Sequence, residues 1–269
     1  MVRRWYIPLA TIALAFGSML AAAGAASAAP MSHPAAHGGF QPGGLMVRPG
    51  GATRGSGHGR DATATSTNWS GYAVTGANGA YKSVSASWKE PTATCTSRRS
   101  AQYASFWVGL DGYNSNSVEQ TGTDSDCSGT SPKYYGWYEM YPAFPVNFSN
   151  TVRPGDSMSA SVTFSGTQTY TLVLKDINQG WTQTIVKSQS GLDRSSAEVI
   201  TEAPSSNSGV LPLANFGTIS YSTSSANGLS LGGQSPIQIT MVNNSGADKD
   251  STSSISSGGA FSNTWIRAN

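Results

Sequence analysis

Short runs in which apolar and polar residues alternate, parted by Gly, Asn, Ser and Asp, recur along most of this chain. They are Tyr81–Glu90, Ala104–Leu110, Tyr134–Tyr141, Ser157–Phe164, Thr169–Lys175, Gly180–Lys187, Ala197–Glu202, Phe216–Ser222 and Pro236–Val242. A period of two sends successive side chains to opposite sides of an extended backbone, whereas a helix needs apolar positions three and four apart. Few segments offer the second pattern. Many short strands at this spacing predict an all-β sandwich or barrel, with residues 64–269 long enough for one domain and a sizeable core.

The first 63 residues have a different character. Arg3 and Arg4 precede an apolar stretch from about Tyr6 to Ala23, and Ala26-Ser27-Ala28 supplies small residues at a cleavage position. Residues 1–28 therefore read as an export signal. Residues 29–63 are rich in Gly, His, Arg and Ala and carry almost no periodic apolar pattern. Such a stretch cannot bury enough surface to fold alone and reads as a propeptide or linker. The first 61 residues hold five Arg and one acid, Asp61; the remainder holds eleven Lys and Arg against thirteen Asp and Glu. A basic arm ahead of a mildly acidic body suits a segment that covers an acidic cleft until it is removed.

Composition excludes several classes of chemistry. All three histidines, His33, His37 and His58, precede the body. Ser-His-Asp and Cys-His nucleophilic machinery cannot operate without imidazole, and the usual nitrogen ligands of zinc, iron and copper are missing. The body is thus expected to need no metal or cofactor, and its proton chemistry falls to carboxylates, amides, hydroxyls or water. No basic patch suggests nucleic acid, and after signal removal no run of about twenty apolar residues remains to cross a membrane. Only 11% of the chain is charged, so few ion pairs are lost when carboxylates protonate in acid. Cys95 and Cys127, a pair in an exported protein, read as one disulfide.

Candidate chemistry lies in aromatic-rich segments: Asn68-Trp69-Ser70-Gly71-Tyr72, Ser87-Trp88-Lys89-Glu90-Pro91, Phe106-Trp107-Val108-Gly109-Leu110-Asp111-Gly112 and Tyr134–Pro142. By strand parity Tyr135, Trp137, Glu139 and Tyr141 share one face. An aromatic face carrying a carboxylate suits a groove for an extended polymer, although core and edge packing uses the same residues. In Val118-Glu119-Gln120-Thr121-Gly122-Thr123, Glu119 and Gln120 face opposite sides, and parity does not say which enters a groove. Glu202 ends the apolar run Ala197–Glu202. Two acids such as Glu139 and Glu202 on an aromatic face would also suit a glycoside hydrolase, and the same face a carbohydrate-binding module.

Taken in order, Trp-Val-Gly-Leu-Asp-Gly, Glu-Gln-Thr-Gly, Trp-Tyr-Glu-Met-Tyr-Pro and Ala-Glu-Val-Ile-Thr-Glu resemble the eqolisin family of glutamic peptidases. Asn68-Trp69-Ser70-Gly71 and Ala214-Asn215-Phe216-Gly217 fit the same pattern, and the resemblance covers about residues 67 to 222 well. It implies an antiparallel sandwich of two large sheets, lectin-like, with a concave substrate groove, and a secreted, acid-acting endopeptidase of the bacterial type. It also implies a catalytic pair, Gln120 and Glu202, with Trp69, Trp107, Asp111, Trp137, Glu139 and Tyr141 lining the groove. Protein or peptide substrates and a single-chain monomer follow. Fungal members carry an aromatic where Val199 stands, and an acid and an aromatic where Ala203 and Pro204 stand, which alters the pocket walls.

Overall fold

In a computed structural model, residues 45–49 and 62–269 are described; the export signal expected over 1–28 and most of the segment 29–63 lie outside the described residues. Strands are numbered in chain order. The first sheet has eight strands: β1 (Thr63–Ser66), β2 (Trp69–Thr75), β4 (Ser105–Leu110), β5 (Val118–Ser128), β6 (Ser131–Tyr141), β7 (Val146–Asn147), β11 (Ser196–Glu202) and β16 (Ile237–Met241). Its order is β1-β16-β2-β11-β4-β5-β6-β7, antiparallel except between β1 and β16. The second sheet takes β3 (Ser83–Lys89), β8 (Ser157–Phe164), β9 (Thr169–Asp176), β10 (Trp181–Ser188), β14 (Thr218–Ala226), β17 (Asp250–Thr252) and β18 (Phe261–Trp265) in the order β10-β9-β8-β3-β14-β18-β17, with β15 (Leu229–Ser230) beside β14. A hairpin of β12 (Ser205–Ser206) and β13 (Gly209–Val210) follows β11.

The second sheet follows the alternation that predicted it. In β3, Val84, Ala86 and Trp88 are buried while Ser83, Ser85 and Ser87 are only partly covered; β8 and β9 repeat the pattern with Met158, Ala160, Val162 and Tyr170, Leu172, Leu174. These side chains meet Phe106, Val108, Leu110, Tyr138, Met140 and Val199 from the first sheet and form the core between the sheets. Full burial of each large apolar side chain is worth about 1.5–3 kcal/mol, which ties the layers together. The run expected at Phe216–Ser222 lies instead at Thr218–Ala226, because pairing with β3 and with β18 extends it through a polar stretch.

The first sheet is buried on both faces. Every residue of β4 and β11 is buried, as are ten of the eleven residues of β5 despite its run of Asp, Ser and Thr. Its outer face carries a second apolar cluster of Trp69, Ala73, Trp107, Tyr113, Val118, Trp137, Ile200, Ile237 and Ile239, covered in part by Leu45, Met46, Tyr135 and Tyr141. Polar side chains sealed on its inner face find partners across the sandwich. Glu90 accepts from Thr123 Oγ1 at 2.5 Å and Ser125 Oγ at 2.7 Å; Asp250 accepts from Ser70 Oγ and Asn263 Nδ2. Loss of water outweighs these bonds, and at Asp250 also the charge of the neighbouring Lys249, so Glu90 is pushed up to about 8 and Asp250 to about 7. Burial likewise raises Asp124 to about 7 and Glu119 to about 9.

The sign of the consequence is fixed by these directions. Carboxyls whose folded values lie above the unfolded value of about 4 hold protons that the unfolded chain releases. Their contribution is complete below about pH 4 and is lost as pH climbs through the folded values. Thermal unfolding followed by circular dichroism should therefore show Tm falling by about 10 °C or more between pH 4 and pH 8, with a smaller fall in Glu90→Gln; a flat or rising Tm would contradict the account.

Cys95 and Cys127 are joined, 32 residues apart in sequence, pinning the loop after β3 to the far end of β5. By loop entropy this closure contributes about 3–4 kcal/mol. Replacing both cysteines with Ser should lower unfolding free energy in urea by about that amount without changing the secondary structure.

Candidate functional site

Strand register builds the site as three rungs on the outer face of the first sheet. One rung runs Trp69, Glu202, Ser105, Asp124, Tyr135; the next Gly71, Ile200, Trp107, Gly122, Trp137; the third Ala73, Glu198, Gly109, Gln120, Glu139. Successive rungs are two residues apart along each strand, so all these side chains share one face. Gln120 takes that face, and Glu119 turns the other way, where its charge reaches Tyr170 of the core.

Trp107 occupies the centre. Glycines stand beside it in two rungs: a Cβ on Gly122 would lie 2.1 Å from Phe106 O and 2.6 Å from Trp107 Cβ, and one on Gly109 would lie 2.8 Å from the Trp107 ring. The indole thus has room only because both neighbours lack side chains. It meets Trp69 edge to face with ring centroids 4.9 Å apart. Its Nε1–H donates to Glu202 Oε2 at 2.9 Å, and Asn68 Nδ2 donates to Glu202 Oε1 at 3.1 Å. Two buried donors of fixed geometry orient this carboxyl.

The opposite corner is built from Gln120 and Glu139. Gln120 Nε2 donates to Glu139 Oε2 at 2.6 Å. Burial first, and then the charge of Glu202, hold the Glu139 carboxyl well above the usual carboxylate range, against the lowering effect of the Gln120 bond. Glu202, Glu139 and Gln120 therefore belong to one electrostatic site. Trp137 Nε1–H is turned to Asp124 Oδ1 at 2.6 Å, and Tyr135 Oη lies between Asp124 Oδ2 at 2.9 Å and Asp126 Oδ2 at 2.7 Å, which share its one hydrogen. The indole of Trp137 is in this way locked by a carboxyl rather than by packing alone.

Of the residues singled out in the sequence, Trp69, Trp107, Trp137, Gln120, Glu139 and Glu202 come together here, and Tyr141 packs against the same aromatic cluster. Asp111 does not contact this group in any such way. Its backbone has φ 73°, and its carboxyl accepts from the amides of Arg194 at 2.6 Å and Ser195 at 2.9 Å, tying the end of β4 to the entry of β11. Asn68 and Asp124 are the polar members that a reading of single positions passes over. Asn68 stands in the Asn-Trp-Ser-Gly motif beside Trp69, where the indole is the more conspicuous groove residue. Asp124 lay in a polar run without strand pattern. Among the described residues no group of three or more His, Cys, Asp or Glu is placed to hold a metal ion.

Chemically, the site offers an oriented carboxyl, a carboxamide that cannot titrate, a second carboxyl kept protonated by burial, and a floor of indoles. Known proteins share the family sequence pattern and the fold. Residues 67–265 match the Peptidase A4 family. Aspergillopepsin-2 of Aspergillus niger is 30% identical over 137 residues, 48% of this chain and 48% of that protein, so the chain spans about half the length of the curated relative it matches. The crystal structure of scytalido-glutamic peptidase with a transition state analog inhibitor aligns with a TM-score of 0.64 and 26% identity, covering 74% of this chain and 98% of that one. Aspergilloglutamic peptidase from Aspergillus niger aligns with a TM-score of 0.55 and 25% identity over 61% of this chain and 99% of its own. The matched span runs from the residue before Asn68 to the end of β18 and takes in all three rungs, and on that match the chain belongs to the Peptidase A4 family, the glutamic peptidases.

Proposed function

We propose that this chain is a secreted endopeptidase that hydrolyses peptide bonds in acid through Gln120 and Glu202. The observation that carries the reading is the fixed carboxyl of Glu202, held by Trp107 and Asn68 on the same sheet face as the Gln120–Glu139 pair. Membership of the family and the likeness to a glutamic peptidase solved with a transition state analog support it.

Amide hydrolysis needs an activated water, a place for negative charge on the carbonyl oxygen, and a proton for the leaving nitrogen. Glu202 takes a proton from water as the oxygen attacks the carbonyl carbon, then returns that proton to the amine as the C–N bond breaks. Gln120 donates an N–H to the developing oxyanion, and its amide oxygen helps hold the water. Glu139, kept protonated by burial, orients the carboxamide without placing a second negative charge beside the oxyanion. Ionisation of Glu139 places that charge beside the oxyanion and removes stabilisation, so turnover falls on the high-pH side of the profile. Export fits the Cys95–Cys127 disulfide, since such bonds persist in oxidising compartments. Substrates are proteins or peptides, and the chain works as a monomer.

Digestion of a denatured protein by the full chain in acid tests the pair. Gln120→Ala should cut kcat by about 10²–10³, the cost of an oxyanion donor, and Glu202→Gln should leave almost no turnover. Activity within a few-fold of wild type in either variant would remove the mechanism. A glycosidase would instead keep its turnover in Gln120→Ala and lose it in Glu139→Gln.

A further inference from the structure

Leu45–Pro49 lies against the site, and its bonds to Ser66, Thr67 and Asn68 are made by main chain. Val47 N–H donates to Asn68 Oδ1 at 2.7 Å, and Asn68 Nδ2 donates to the Leu45 carbonyl at 3.0 Å. The Val47 carbonyl accepts from Thr67 N–H at 2.8 Å and Ser66 Oγ at 2.8 Å. Leu45 and Met46 pack against the cluster that holds Trp69, Trp107 and Tyr113. Side chains add the apolar contact and, beyond it, Arg48, whose guanidinium lies over the Tyr113 ring at 4.9 Å and donates to Asn114 Oδ1 at 3.2 Å; the bonds around Asn68 itself use only a carbonyl, an N–H and a carbonyl, which any extended peptide carries at the same spacing.

Asn68 is fully buried, and its carboxamide has two donors and two acceptor positions. All four are used. Oδ1 takes Val47 N–H and lies 2.8 Å from Ser66 Oγ, whose one hydrogen it shares with the Val47 carbonyl; Nδ2 gives one hydrogen to Leu45 and the other to Glu202 Oε1 at 3.1 Å. Half of the hydrogen bonds of this buried amide are therefore completed by a peptide backbone that straddles one residue, and a third bond leads directly to the carboxyl assigned above as the base. A buried amide left with half its partners missing is costly, so the position is built to be filled.

We infer that Asn68 is a positioning residue of the proposed peptidase: it clamps the main chain of a peptide substrate across one residue, as it does Leu45–Val47, and couples that occupancy to the orientation of Glu202. The inference rests on the peptidase reading. Arm and substrate then use the same backbone bonds, and the residue straddled by the clamp presents its side chain to the aromatic cluster, where Met46 lies.

The test uses the full chain as wild type, Asn68→Ala and Asn68→Asp, with steady-state hydrolysis of a peptide substrate across the acid range and hydrogen exchange of the 45–49 segment by mass spectrometry. Asn68→Ala should raise KM about tenfold or more, lower kcat as Glu202 loses a donor, and speed exchange in 45–49. Asn68→Asp matches the native side chain in size. At low pH its protonated carboxyl accepts but has one donor for the two positions Asn68 serves, so activity should be reduced, less than in Asn68→Ala; as it ionises beside Glu202, activity should fall further along a limb absent from the wild-type profile. Unchanged KM and exchange in Asn68→Ala, or a wild-type pH profile in Asn68→Asp, would overturn the clamp. Should Asn68→Ala not fold, the Asn68→Asp profile decides alone. Wild type that cleaves no peptide at any pH sinks the peptidase reading and the clamp with it, whereas cleavage that ignores position 68 sinks the clamp only.

Discussion

Carboxyl groups taken out of water and matched with neutral donors, not with cations, are the constraint on which the first sheet depends. Glu90 is met by Ser and Thr hydroxyls and the Trp88 indole, Asp124 by Trp137 and Tyr135, and Glu202 by Trp107 and Asn68. A paired cation would stabilise the ionised form; indole and amide donors orient a carboxyl with much less bias toward charge. Burial then prevails at Glu90 and Asp124, which share the protonated state suited to an acidic exterior. The low charge content of the chain is the compositional trace of that choice.

The aromatic residues serve these carboxyls as much as they serve packing. A sheet face of Val, Ile and Leu would bury comparable area but could not donate a hydrogen bond, whereas an indole gives both a wide apolar face and one rigid N–H. Trp107 and Trp137 stand in the same rung with Gly122 between them, each aiming its N–H at an acid of the neighbouring rung. Aromatic content that elsewhere would signal a core is here divided between a core inside the sandwich, where Phe and Tyr surround Trp88, and an outer layer built on Trp69, Trp107 and Trp137.

Alternation made much of the fold legible, because strands with one face in the core print their period on the sequence. Residues 83–89, 157–164 and 169–176 are of that kind. It fails for β5, whose residues are covered from both sides and so need not alternate in polarity; Asp124, Ser125 and Asp126 are buried by hydrogen bonding, which no hydrophobic pattern records. The grouping of Tyr135, Trp137, Glu139 and Tyr141 on one face followed from parity, but parity could not choose between Glu119 and Gln120, since that choice depends on which neighbour strand meets which residue. Asp111 enters from the family resemblance alone; its left-handed backbone and its bonds to two amides fasten two strand ends, a role no residue pattern records.

Adjacent residues of opposite capability, Glu119 and Gln120, make the alignment of β5 a chemical variable. Sliding that strand by a single position would present an ionisable acid where an inert amide stands and bury the amide among tyrosines. Eleven paired positions with β6 resist such a slide along one side, Gly122 seated against the Phe106 carbonyl resists it along the other, and the bond from Cys127 to Cys95 anchors the end. A cross-link remote from the reacting atoms thereby guards which functional group faces them.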